Sequence, residues 1–172
     1  MEFSRALERR LKALVFGKDI RVTSIRTREA PAEITIAPLL LHRIIDNLFL
    51  NASKYTDRGS IIVELEGRPG FLVLKLSDTG RGIATEDLER TFSPGGSDPA
   101  LRVAGSHGMG LSVVVQLLAE LGGRLEVMSK AGFGTTIWTY LPVQPPERPP
   151  SSERAEPFSE TLSRVVTIRK IA

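Results

Sequence analysis

A chain of 172 residues with 41% hydrophobic side chains and a net charge of +3 has room for one domain with a sizeable core. It has no cysteine, which excludes disulfides, thiolate metal sites and thiol nucleophiles. Lys and Arg are scattered apart from Arg9-Arg10 and Arg169-Lys170, and no apolar run reaches the length of a membrane span, so a soluble, cytoplasmic domain touching neither nucleic acid nor membrane is expected; a parent protein could still carry an anchor elsewhere.

Phe3, Leu7, Leu11, Leu14 and Val15 have helical spacing, and Gly17 is a stop signal. Ile20 to Ile25 alternates apolar and polar residues, as a strand does, and Glu33-Ile34-Thr35-Ile36 reads as a second, short one. A helix follows from Pro38 to Tyr55, with Leu41, Ile44, Ile45, Leu48 and Ala52 forming an apolar stripe. Beside that stripe, Asn47, Asn51 and Lys54 fall one turn apart on one face. Asn is a poor helix former, so two of them here suggest either a polar edge satisfied by neighbours or a ligand-facing surface.

Ile61–Leu65 and Phe71–Ser77, separated by Gly67-Arg68-Pro69-Gly70, read as an antiparallel hairpin. The second strand runs into Asp78-Thr79-Gly80-Arg81-Gly82-Ile83, and Thr85–Arg90 is a short helix with Thr85 as its expected N-cap. Ser93 to His107 has little apolar periodicity and contains several Gly and Pro residues; a loop of that length inside a domain is usually functional or mobile. A helix then runs from Leu111 to Leu121, and strands at 124–128 and 135–141 are joined by Lys130-Ala131-Gly132-Phe133-Gly134. After Pro142 a Pro-rich stretch reads as a linker that cannot bury a core, so a chain ending near Gln144 is expected to bind any ligand like the whole one. In the last segment Phe158, Leu162, Val165 and Val166 have helical spacing, while Val165–Ile168 is also β-prone.

Gly105-Ser106-His107-Gly108-Met109-Gly110 precedes a helix, where backbone N–H groups favour anions. Its spacing is not the dinucleotide fingerprint, and the chain has no P-loop. Asp78 is either a turn-maker or an acceptor aimed into a pocket.

Taken together, the Asn-containing helix, Asp78-Thr79-Gly80-Arg81-Gly82-Ile83, Phe92, Gly105–Leu111 and Gly132-Phe133-Gly134-Thr135 resemble the N, G1, F, G2 and G3 boxes of the GHKL ATP-binding family. They are most similar to the catalytic domain of bacterial two-component histidine kinases. The resemblance implies an α+β Bergerat fold, a two-layer α/β sandwich with a mixed, mostly antiparallel sheet of about five strands against about three helices. It assigns residues 1–144 to the catalytic domain, 145–157 to a linker and 158–172 to a short C-terminal segment.

The resemblance also implies roles. Asn51 would hold Mg²⁺, Asn47 would line the same face, Lys54 would reach the phosphates and Tyr55 would flank the nucleotide. Asp78 would accept from the adenine amino group, Gly80 and Gly82 would make room for the purine, and Ile83 would pack nearby. Ser93 to His107 would be the mobile ATP lid, with Arg102 and His107 close to the nucleotide. Gly108 and Gly110 would offer N–H groups to the phosphates, Met109 and Leu111 would close the site, and Thr135 would help orient Asp78.

The implied reaction is transfer of the γ-phosphoryl group of Mg-ATP to a histidine on a separate helical hairpin, and onward to a response-regulator receiver domain. Departures are His107 where Thr is frequent and Ala37-Pro38 where Asp is common. No acceptor hairpin accompanies the domain: His42 lies within the nucleotide helix and is read as a surface or packing residue. Related ATPases and anti-sigma-type serine kinases carry Glu where this chain has Asn47, which favours the histidine kinases. The alternatives are those enzymes, or a non-catalytic nucleotide-binding or docking module.

Overall fold

A computed structural model describes residues 2–94, 110–144 and 157–169. Helix α1 (Glu2–Leu14) and strand β1 (Asp19–Arg26) lead to helix α2 (Pro38–Tyr55) and the hairpin β2 (Arg58–Arg68) and β3 (Phe71–Asp78). A 3₁₀ turn (Thr85–Asp87) and α3 (Leu88–Phe92) follow. Then come α4 (Gly110–Leu121), β4 (Arg124–Lys130), β5 (Gly134–Pro142), α5 (Phe158–Val165) and β6 (Val166–Ile168).

The six strands form one sheet in the order β1-β2-β3-β5-β4-β6. The pairs β2–β3, β3–β5 and β5–β4 are antiparallel, while the outer pairs β1–β2 and β4–β6 are parallel. Strand alternation gives the sheet one buried face. Ile61, Val63 and Leu65 of β2, Leu72, Leu74 and Leu76 of β3, and Leu125 and Val127 of β4 all enter a single core. Across from them, α2 supplies Ile44, Ile45, Leu48 and Phe49, and α4 supplies Val114, Val115 and Leu118. The other face is wetter, and there Arg124 stacks on the Phe71 and Tyr140 rings.

Two local expectations need correction. Residues 33–36 are not a strand: Thr35 N–H reaches the Val143 carbonyl at 2.9 Å, but no ladder forms, and Ile34 and Ile36 merely pack against the core. Thr85 is not an N-cap; it lies inside the 3₁₀ turn, whose own cap position, Ala84, has no side-chain bond to give. The expected α+β fold with its mixed, mostly antiparallel sheet is present, with six strands where about five were expected and five helices among the described residues where about three were. The C-terminal segment accounts for the extra strand. Both readings of it hold in succession, a helix to Val165 and then a strand that continues along β4 through Arg169 N–H to the Val127 carbonyl at 2.8 Å.

Candidate nucleotide site

Helix α2 is held at both ends by chemistry outside its apolar stripe. Pro38 stands at its first turn. At its C-terminus Lys18 Nζ donates to the Ser53 and Thr56 carbonyls at 2.5 and 3.1 Å, placing a cation where the helix dipole is negative. The helix is thus fixed against the sheet at the edge where β3 ends.

Its polar face is ordered by its own backbone. Asn47 Nδ2 donates to the Arg43 carbonyl at 2.7 Å, and Asn51 Nδ2 donates to the Asn47 carbonyl at 2.9 Å. A carbonyl acceptor requires the NH₂ side of each amide, so both Oδ1 atoms are left to face outward. Both amides border the start of α4: a Cβ placed on Gly110 would lie 3.0 Å from Asn51 Nδ2, 3.4 Å from Asn47 Oδ1 and 3.6 Å from Asn51 Oδ1. A neutral carboxamide oxygen is a hard donor, suited to a hard divalent cation that also keeps waters and phosphate oxygens.

Between α2, the end of β3, α3 and α4 lies a cavity of about 310 Å³, within the range of small-ligand sites. Asn51, Tyr55, Asp78, Ile83, Leu111 and Thr135 line it, and Gly82 contributes to its floor. Asn47 and Lys54 sit outside this wall; Lys54 Nζ lies 5.2 Å from the Tyr55 ring centroid. A larger hollow of about 660 Å³ lies between α1 and residues 31–34. It is mostly apolar, with Arg26 already bound to the Ala30 and Pro31 carbonyls. The smaller cavity is the better candidate, because the Asn51 carboxamide and the Asp78 carboxylate line it together.

Asp78 ends β3 with its carboxylate against the cavity. Burial pushes its carboxyl above the ordinary value of 3.8, and N–H groups of Gly80 and Thr135 partly offset that push. The Gly80 bond is 2.9 Å. Thr135 is the register partner of Asp78 across β3 and β5, so it holds the carboxylate through its backbone rather than its hydroxyl. Gly80 and Gly82 are already required by the chain's own packing. A Cβ on Gly80 would collide with the Tyr55 carbonyl, and Gly82 has φ +65 with the Lys130 carbonyl where a side chain would go.

Arg81, Asp87, Arg90 and Thr91 line the cavity and Ser129 bonds to its Thr135, though none was expected at the site from sequence. Arg81 lays its guanidinium 4.5 Å from the Tyr55 ring centroid and lines the cavity. Ser129 is buried and joins Ile83, Gly134 and Thr135. The signal for Ser129 was a hydroxyl in the inward register of Leu125 and Val127. Arg102, His107, Gly108 and Met109 lie outside the described residues, as does most of the expected lid.

The family described as histidine kinase-, DNA gyrase B- and HSP90-like ATPase matches residues 36–145. The autoinducer 2 sensor kinase/phosphatase LuxQ of Vibrio cholerae is 33% identical over 88% of this chain and 18% of its own length. The histidine protein kinase DivJ of Caulobacter vibrioides is 34% identical over 80% of the chain and 24% of its length. The chain therefore spans about a fifth of the length of these curated relatives. Among solved structures, the mycobacterial sensor histidine kinase MprB superposes with a TM-score of 0.66 at 26% identity, covering 84% of this chain and 96% of that one. Full-length ShkA in complex with AMPPNP shares the fold with a TM-score of 0.69 at 24% identity, over 82% of this chain and 29% of that one.

Proposed function

Because this chain belongs to the histidine kinase-, DNA gyrase B- and HSP90-like ATPases, as the ATP-binding domain of a sensor kinase, we propose that it binds Mg-ATP and donates the γ-phosphoryl group to a histidine on a separate helical-hairpin domain. The observation that carries the proposal is one cavity lined by both the Asn51 carboxamide of α2 and the partly buried Asp78 carboxylate, with Asn47 one turn away on the same helix face. The carboxamide suits cation-bridged phosphates and the carboxylate suits the amino group of a purine.

In this reading Asp78 accepts from the base, and Tyr55, Ile83 and Leu111 enclose its faces. Lys54 and the start of α4 stand on the phosphate side. Mg²⁺ held by Asn51, with Asn47 alongside, would neutralise phosphate charge. Asn47 offers only an amide oxygen, which takes no proton near neutral pH. Water attack, which needs a general base, is therefore unsupported, whereas an imidazole acceptor is already nucleophilic. What the protein contributes is positioning and charge stabilisation. The same argument ranks an ATPase or a serine kinase below a histidine kinase.

The test supplies the acceptor hairpin of the parent kinase as a separate polypeptide and follows ³²P from ATP. Acid-labile label should appear on the hairpin histidine, disappear with Asn51→Ala, and persist with His42→Ala, since His42 is exposed on α2. Acid-stable label on the chain's own Ser or Thr, or rapid hydrolysis without the hairpin, would overturn the assignment.

A further inference from the structure

Ser129 Oγ has three hydrogen-bond partners, which use its one proton and both lone pairs. Ile83 N–H donates to it at 2.8 Å, the Gly134 carbonyl lies 3.0 Å away, and Thr135 Oγ1 lies 2.8 Å away. A carbonyl can only accept, so the Ser129 proton goes to Gly134. An N–H can only donate, so Ile83 takes one lone pair. The remaining lone pair faces Thr135, which must therefore donate its own hydroxyl proton to Ser129. Thr135 has then spent its only proton, and it lines the cavity beside Asp78 with nothing but lone pairs.

We infer that Ser129 is a specificity-determining positioning residue: by fixing Thr135 as an acceptor, it leaves the paired Asp78 and Thr135 side chains with acceptors only, matched to a purine with an exocyclic amino group and mismatched to one with a carbonyl at that position. The inference rests on the nucleotide reading above. Ser129 touches no ligand itself; it acts through the direction of one hydroxyl. Being saturated and buried, it leaves Thr135 no alternative orientation.

The discriminating quantity is the ratio of dissociation constants for inosine and adenosine triphosphates, which differ in having a carbonyl or an amino group at the position in question. Calorimetry on the whole chain should show ATP preferred. Ser129→Ala frees the Thr135 proton to meet a carbonyl, so the ratio should shrink by about three- to tenfold. Ser129→Cys keeps the volume but is weak in both hydrogen-bonding roles, and it should shrink the ratio too if the alanine variant melts too low to use.

In a Thr135→Val background, neither substitution should move the ratio further, because the route runs through Thr135. A merely structural Ser129 would weaken both nucleotides by one common factor and leave the ratio alone, and that result overturns the inference. So does an equal change of ratio in the Thr135→Val background. If the unsubstituted chain binds no ATP, the nucleotide reading fails first and takes this one with it; ATP binding with an unmoved ratio sinks the Ser129 relay alone.

Discussion

Asp78 carries two opposed demands. As an acceptor for a purine amino group it is strongest when ionised, yet burial in the cavity wall raises its pKa. A hydrogen bond to a charged group contributes about 1.5–3 kcal/mol, so Asp78→Ala should weaken ATP by about tenfold or more, and GTP bound as tightly as ATP by the native chain would refute the base contact. The raised pKa also has a sign for stability. The folded state holds the proton more tightly than the unfolded state does, so above the folded pKa the ionised carboxyl costs stability. That cost shrinks as pH falls through the folded pKa and vanishes below the unfolded value. Asp78→Asn keeps an oxygen for the Gly80 and Thr135 N–H groups but never ionises. It should melt higher than the native chain at neutral pH, with the gap closing on acidification, while binding ATP less well. Thermal unfolding against pH checks the first half and calorimetry the second.

Among the elements, α2 links core to chemistry, since its buried and polar faces share one rigid cylinder. Phe49 is fully buried beneath it, so Phe49→Ala should cost about 3–5 kcal/mol in denaturant unfolding. The C-terminal segment is the element whose role changes most. The Pro-rich composition before it suggested an inert tail, yet α5 packs on α4 and β6 extends the sheet beside β4. Val165 is buried, and Arg169 pairs with Glu126 while lying 4.5 Å from the Trp138 ring centroid. Burying Val165 alone contributes about 1.5–3 kcal/mol. A chain ending at Gln144 should therefore melt well below the full one. Because α4 begins at Gly110, against Asn47 and Asn51, its nucleotide affinity should fall as well; unchanged melting would show the segment to be dispensable.

At the scale of the whole molecule, the proposed nucleotide site has no histidine lining it among the described residues. His42 is exposed on α2, and His107 lies outside the described residues. The lone chain should accordingly bind ATP and hydrolyse it far below the roughly 1–100 s⁻¹ of working kinases, which a steady-state phosphate-release assay would measure. No helix among the described residues is long and apolar enough to cross a membrane.

The sequence by itself determined those features written in short-range patterns. Apolar spacing at three and four residues fixed α2 and α4, alternation fixed the β2–β3 and β4–β5 pairs, and the boxes carried the family because each box is contiguous. Patterns of that kind survive without knowledge of neighbours. Tertiary structure decided everything that depends on what lies opposite. Ile34 and Ile36 alternate like a strand, but no partner ladder adjoins them. Val166–Ile168 becomes a strand because the β4 edge is there to pair with it. Thr135 holds Asp78 by its backbone because β3 and β5 are in that register. Ser129 directs the Thr135 hydroxyl only because Ile83, some 46 residues away in sequence, arrives to use its other lone pair. Such contacts link distant parts of the chain and leave no local periodicity for a sequence to display.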